Sequence, residues 1–118
     1  WAILHCGKIV ENRSWRTEYR GPLLLHAPER QEREGYTWLL LRGFNVPDRL
    51  PTGRYLGTCM LDGCIPYGLE ERESVWSFGP YCWQLSGAKA LTEPIAGPGK
   101  LGLYRWRDLL ALRATDAP

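Results

Sequence analysis

Gly7-Lys8-Ile9-Val10-Glu11-Asn12-Arg13-Ser14-Trp15, followed by Tyr19-Arg20-Gly21-Pro22-Leu23-Leu24-Leu25-His26-Ala27, is the stretch on which the fold turns. β-Branched Ile9 and Val10 among charged residues mark Lys8 to Trp15 as a strand with one polar face. Side chains on a strand repeat every two residues, so Ile9, Glu11 and Arg13 share one face while Val10 and Asn12 take the other. Lys8 sits at a corner just after Gly7, a residue type that commonly stops a helix, and Trp1 to Cys6 reads as the tail of that helix. Arg16 to Pro22 is a polar, turn-rich link. Leu23 to Ala27 is a continuous apolar run, which predicts a buried central strand.

Working outward, Pro28 opens a new segment at a position suited to the first turn of a helix. Glu29 to Glu34 is a solvated helix or loop, and Tyr36 to Leu41 is either a helical piece or a short strand, which periodicity does not separate. Pro47, Pro51 and Gly53 punctuate a loop. Arg54 to Ile65 predicts a strand with a bend at Asp62-Gly63, and Glu70 to Glu73 a solvated acidic face. Tyr81 to Leu85 and Gly87 to Ile95 read as two further strands, ending at the Gly97-Pro98-Gly99 turn. Trp106 to Arg113 suits a short amphipathic helix. Strands in succession, rather than in βαβ alternation, predict an α+β domain: a small, mostly antiparallel β-barrel with two or three short helices.

The 118 residues allow one domain, 1–118, with no room for a second core. Hydrophobic residues at 44% and charged residues at 24% exclude a disordered chain. No apolar run approaches the roughly 20 residues of a membrane span, and no signal peptide is visible. The expected setting is therefore the cytoplasm. The chain begins at Trp1 rather than Met, so a short N-terminal piece is expected before it. The net charge is +2, and Lys8, Lys89 and Lys100 are the only lysines among 15 basic residues. Arginine is preferred where planar contacts to phosphate or carboxylate are needed, although a biased genome produces the same excess. Cys6, Cys59, Cys64 and Cys82 lack CxxC spacing, and neither His5 nor His26 forms a ligand pair with one of them. No metal and no cofactor are expected; free thiols in a reducing compartment fit better.

Lys8, Glu11 and Arg13 at one end of a sheet make a charged cluster able to grip a phosphate or a polar base edge, with the carboxylate orienting the cations. The competing reading is a surface ion pair worth about 0–1 kcal/mol. Tyr81 and Trp83 share a strand face, and Trp15 and Tyr19 lie beside the basic motif, so an aromatic there could stack a base. Core packing is the alternative for each tryptophan. His26, in an apolar strand, reads as a core histidine rather than a catalyst. Gly97-Pro98-Gly99-Lys100 lacks the remainder of a phosphate-loop pattern and reads as a turn.

G-K-x-x-E-x-R-S-W at Gly7 to Trp15 and Y-R-G-P-L-L-L-H-A at Tyr19 to Ala27 resemble the opening of ASCH domains, a PUA-like β-barrel family. Gly53 to Gly57 leading into Cys59, Tyr81 to Leu85, and Pro94-Ile95 before Gly99 to Tyr104 are similar in the same order. The resemblance implies a cleft lined by Lys8, Glu11 and Arg13 and a ligand that is RNA, a nucleotide or a nucleoside. On that reading the ligand-binding residues are Lys8, Glu11, Arg13, Arg20, Tyr81 and Trp83, and the match of Arg20 to the family's R-G-P element implies that it either contacts a ligand phosphate or pins its loop to a buried carboxylate. Some members resemble amidohydrolases that deacetylate N4-acetylcytidine, and nuclease activity occurs in the family. That branch carries a Thr three residues after its Lys, where this chain has Glu11, and a carboxylate does not replace a hydroxyl nucleophile. A small hydrolase is thus the alternative, with Lys8 stabilising an oxyanion and Glu11 acting as general base. A regulatory domain without chemistry is the second alternative.

Overall fold

The computed structural model describes residues 1–70 and 74–97. Helix α1, Ala2–His5, ends as Gly7 enters the left-handed region at φ +66°. The Lys8 amide then donates to the Ala2 carbonyl at 3.3 Å, turning the chain into strand β1, Val10–Arg13. β2 is Gly21–Ala27, α2 is Arg33–Leu41, β3 is Arg54–Pro66 and β4 is Tyr81–Ala96. The helical option for Tyr36 to Leu41 is the one taken. Its end explains why: Gly43, at φ +86°, lets its own amide donate to Leu40 O (3.0 Å) and the Phe44 amide to Leu39 O (3.1 Å). That pair of bonds is a Schellman cap.

All strand pairings are antiparallel, in the order β1-β4-β3-β2. Three readings are corrected by this topology. Among the described residues the sheet is open rather than closed into a barrel, because β1 and β2 stand at opposite edges. The apolar run on β2 does not mark a central strand: β2 is an edge, and its run is apolar because both faces are covered. Leu23 packs with Cys59, Leu61, Trp83 and Leu85, whereas its neighbour Leu24 packs with Tyr55 and Leu91. Finally, the two strands expected over Tyr81 to Ile95 are one. Gly87, at φ +59°, is absorbed within β4 rather than ending it.

The predicted bend at Asp62-Gly63 coincides with one of three register shifts between β3 and β4, between Leu61 and Gly63. Such irregularities bend a strand and raise its twist. Gly57 allows the closest approach: a Cβ there would stand 2.2 Å from the Lys89 carbonyl oxygen. Trp106 to Arg113 lies outside the described residues, as do Gly99 and Lys100 of the Gly-Pro-Gly turn. No described helix is long and apolar enough to cross a membrane.

The core divides across the sheet. On one side Val10, Leu39, Val46, Trp76 and Cys82 pack beneath α2; on the other lies the cluster around Trp83. The four cysteines are free thiols. Burial, reinforced by the charges of Glu11 and Asp62, pushes the Cys59 thiol up to about 12, and burial with the nearby Glu70 pushes Cys82 up to about 11. A raised folded-state value means that both thiols stabilise the fold fully below the ordinary 9.0 of an exposed thiol. That contribution is lost as pH rises from there toward 11 and 12. Stability should therefore fall by up to about 1.4 kcal/mol per pH unit for each thiol above that point. Urea titrations across this range, with Cys59→Ser and Cys82→Ser flattening the decline, check it.

Candidate functional site

β1 delivers the charged side chains. Lys8 Nζ lies 3.6 Å from Glu11 Oε1, and Arg13 Nη2 lies 3.5 Å from Glu11 Oε2, so one carboxylate is shared by two cations. Lys8 reaches Glu11 from the corner set by Gly7, and Arg13 reaches it along the strand, two residues on. The Glu11 side chain keeps 29% of its exposure. The Arg13 guanidinium also lies over two indoles, 5.3 Å from the Trp15 ring centre and 5.7 Å from that of Trp83.

Beside this network opens a cleft of about 620 Å³. Lys8 and Glu11 border it, as does Asn12, although Glu11 and Asn12 leave opposite faces of the sheet at its β1 edge. Its other wall is aromatic, formed by Trp38 of α2 with Trp76 and Phe78 of the loop before β4. Trp38 packs on Trp76 at 5.0 Å between ring centres, and Arg42 lies 4.9 Å over the Trp38 ring.

The other candidates fall elsewhere. Trp83 is 2% exposed, sits in the core cluster and donates from Nε1 to Trp15 O at 3.3 Å. It is a packing residue and offers no free face to a base. Tyr81, half-buried against the same cluster, does not line the cleft, and neither do Arg13 and Arg20. Arg20 Nη1 donates to Thr17 O (3.1 Å) and Tyr19 O (2.8 Å), pinning its own link to backbone carbonyls. Tyr19 is committed too, its hydroxyl donating to Pro22 O at 2.7 Å. His26 borders the cleft, and its Nε2 donates to Gly97 O at 2.8 Å, because a carbonyl only accepts.

Two features escape a reading by motif. Asn12 reaches across to the loop before β4: its Nδ2 donates to Trp76 O at 2.9 Å, and its Oδ1 accepts from the amides of Phe78 (2.8 Å) and Gly79 (2.9 Å). Glu70, expected on a solvated acidic face, instead accepts from Ser77 Oγ at 2.7 Å, with its other oxygen buried. The remainder of that acidic stretch, 71–73, lies outside the described residues. Among the described residues no three His, Cys, Asp or Glu side chains gather as metal ligands would.

Compared with known families, residues 1–96 match the model of the ASCH domain. No curated protein matches the chain.

Proposed function

This chain belongs to the ASCH domain family, within the PUA-like superfamily, and on that premise we propose that it is an RNA- or nucleotide-binding module. The observation that carries the reading is the Lys8–Glu11–Arg13 network, two of whose members, Lys8 and Glu11, line the cleft. A carboxylate between two cations lowers the cost of holding them together and presents their remaining donors to a ligand. Lysine supplies a compact charge and arginine a planar fork, the two devices by which proteins hold phosphates.

The hydrolase alternative asks Glu11 to take a proton from water. Here each of its oxygens faces a cation, and the side chain keeps 29% of its exposure rather than being shut in a dry pocket. That arrangement suits orientation of a ligand better than general-base catalysis. A purely structural ion pair would leave every binding assay unchanged when its members are removed.

Fluorescence anisotropy with labelled single-stranded RNA, titrated at several salt concentrations, tests the reading. Lys8→Ala should weaken binding about tenfold at low salt and reduce the log–log salt slope by about 0.7, the loss of one phosphate contact. Unchanged affinity and slope would remove Lys8 from the interface and with it the proposal. Acetate released from N4-acetylcytidine by the wild-type chain, but not by Lys8→Ala, would instead establish the hydrolase.

A further inference from the structure

Phe78 is 60% exposed, yet the backbone that carries it is held by Asn12. Its own amide and that of Gly79 donate to Asn12 Oδ1, while Asn12 Nδ2 holds the Trp76 carbonyl. The Phe78 ring meets Trp38 edge to face, with centres 6.0 Å apart and planes at 85°. Among the described residues no second ring faces it. An apolar ring fixed in place and left in water at the rim of a cavity is a surface prepared for something flat.

Charge says what that something is. The charged side chains lining the cleft are Lys8 and Arg30 against Glu11, Glu32 and Glu34. Glu11 is already paired with Lys8 and Arg13, and the rest of the lining sets Arg30 against the exposed carboxylates of Glu32 and Glu34, a balance that disfavours a second phosphate beyond the one at Lys8. The interior accepts an uncharged base, which needs only a π-face to stack on and polar groups for its edge. Arg13, which stands outside the cleft lining and is exposed, is placed for the backbone instead.

We propose that Phe78 is the base-stacking residue of this domain, taking one unpaired base into the cleft while the phosphates stay along the Lys8 and Arg13 side. The inference rests on the RNA-binding reading and narrows it: the ligand is a single strand or loop with a base free to leave its stack, not a continuous duplex. Asn12 is the positioning residue, since it holds the segment that carries the ring.

Binding of fluorescein-labelled hexaadenylate and hexauridylate to the 118-residue chain tests this, using wild type, Phe78→Ala, Phe78→Trp and Lys8→Ala. Phe78→Ala should lose about 5- to 150-fold in affinity for both oligomers, the range for one stacked base. Its salt slope should match that of wild type, because no phosphate contact is removed. Phe78→Trp should bind as well as wild type or better. An exposed ring contributes little to stability, so all variants should melt alike. Wild-type affinity in Phe78→Ala alongside weakened binding in Lys8→Ala would overturn the stacking role and leave the RNA-binding reading standing. Failure of the wild-type chain to bind either oligomer would overturn both.

Discussion

Trp83→Ala is expected to destabilise the domain by about 3–5 kcal/mol, the range for emptying a large aromatic site in a core. Trp83 is 2% exposed and fills the cluster made by Leu23, Cys59, Leu61 and Leu85. Its removal also takes away a hydrogen bond to Trp15 O and the edge-to-face contact with the Trp15 ring, whose centre is 5.4 Å away. The Arg13 guanidinium would lose one of its two indole neighbours. A domain of this size has about 5–15 kcal/mol in all, so the variant should be largely or partly unfolded at moderate temperature. Urea unfolding followed by circular dichroism measures it. A variant as stable as wild type that has lost RNA binding would return Trp83 to the role of ligand platform.

Asn12→Ala comes next, with an expected cost of about 2–4 kcal/mol. The substitution orphans three backbone groups at once: the Trp76 carbonyl and the amides of Phe78 and Gly79. An unpaired polar group shielded from water costs about 1–3 kcal/mol, and partial access of water to this loop keeps the sum below three full penalties. Asn12→Asp retains the acceptor but sets a carboxylate oxygen against the Trp76 carbonyl where the donor stood, so it should still cost about 1–3 kcal/mol. Hydrogen exchange locates the damage: the Phe78 and Gly79 amides should lose protection in Asn12→Ala and keep it in Asn12→Asp. Equal protection in both variants would show that the loop is held by other contacts.

The charged network was legible because it is local. Strand periodicity alone predicts that Glu11 and Arg13 share a face, and Gly7 predicts the corner that lets Lys8 join them. The aromatic wall was not. Phe78 lies 66 residues from the asparagine that fixes it, and nothing in the order of either segment announces the contact. Tyr81 and Trp83 attracted the stacking role because they alternate on a strand beside a basic motif. Alternation, however, states only which residues share a face, not whether that face meets water or core. The burial of Trp83 depends on what β2 and β3 bring over it.

The same boundary runs through the fold. By itself the sequence determined the class, a succession of antiparallel strands with short helices, along with the corner at Gly7 and the bend near Gly63. Each of these rests on preferences that act within a few residues. Only the tertiary structure decided that β2 is an edge, that Tyr81–Ala96 is one strand through Gly87, and that the sheet is open among the described residues. It also decided that the cleft has an aromatic wall. An apolar run is written the same way whether a strand is central or merely covered on both faces. A glycine with positive φ ends a strand or is absorbed by it according to whether a partner keeps pairing beyond it. Those outcomes belong to the pairing of distant segments, and local preference carries no information about the partner.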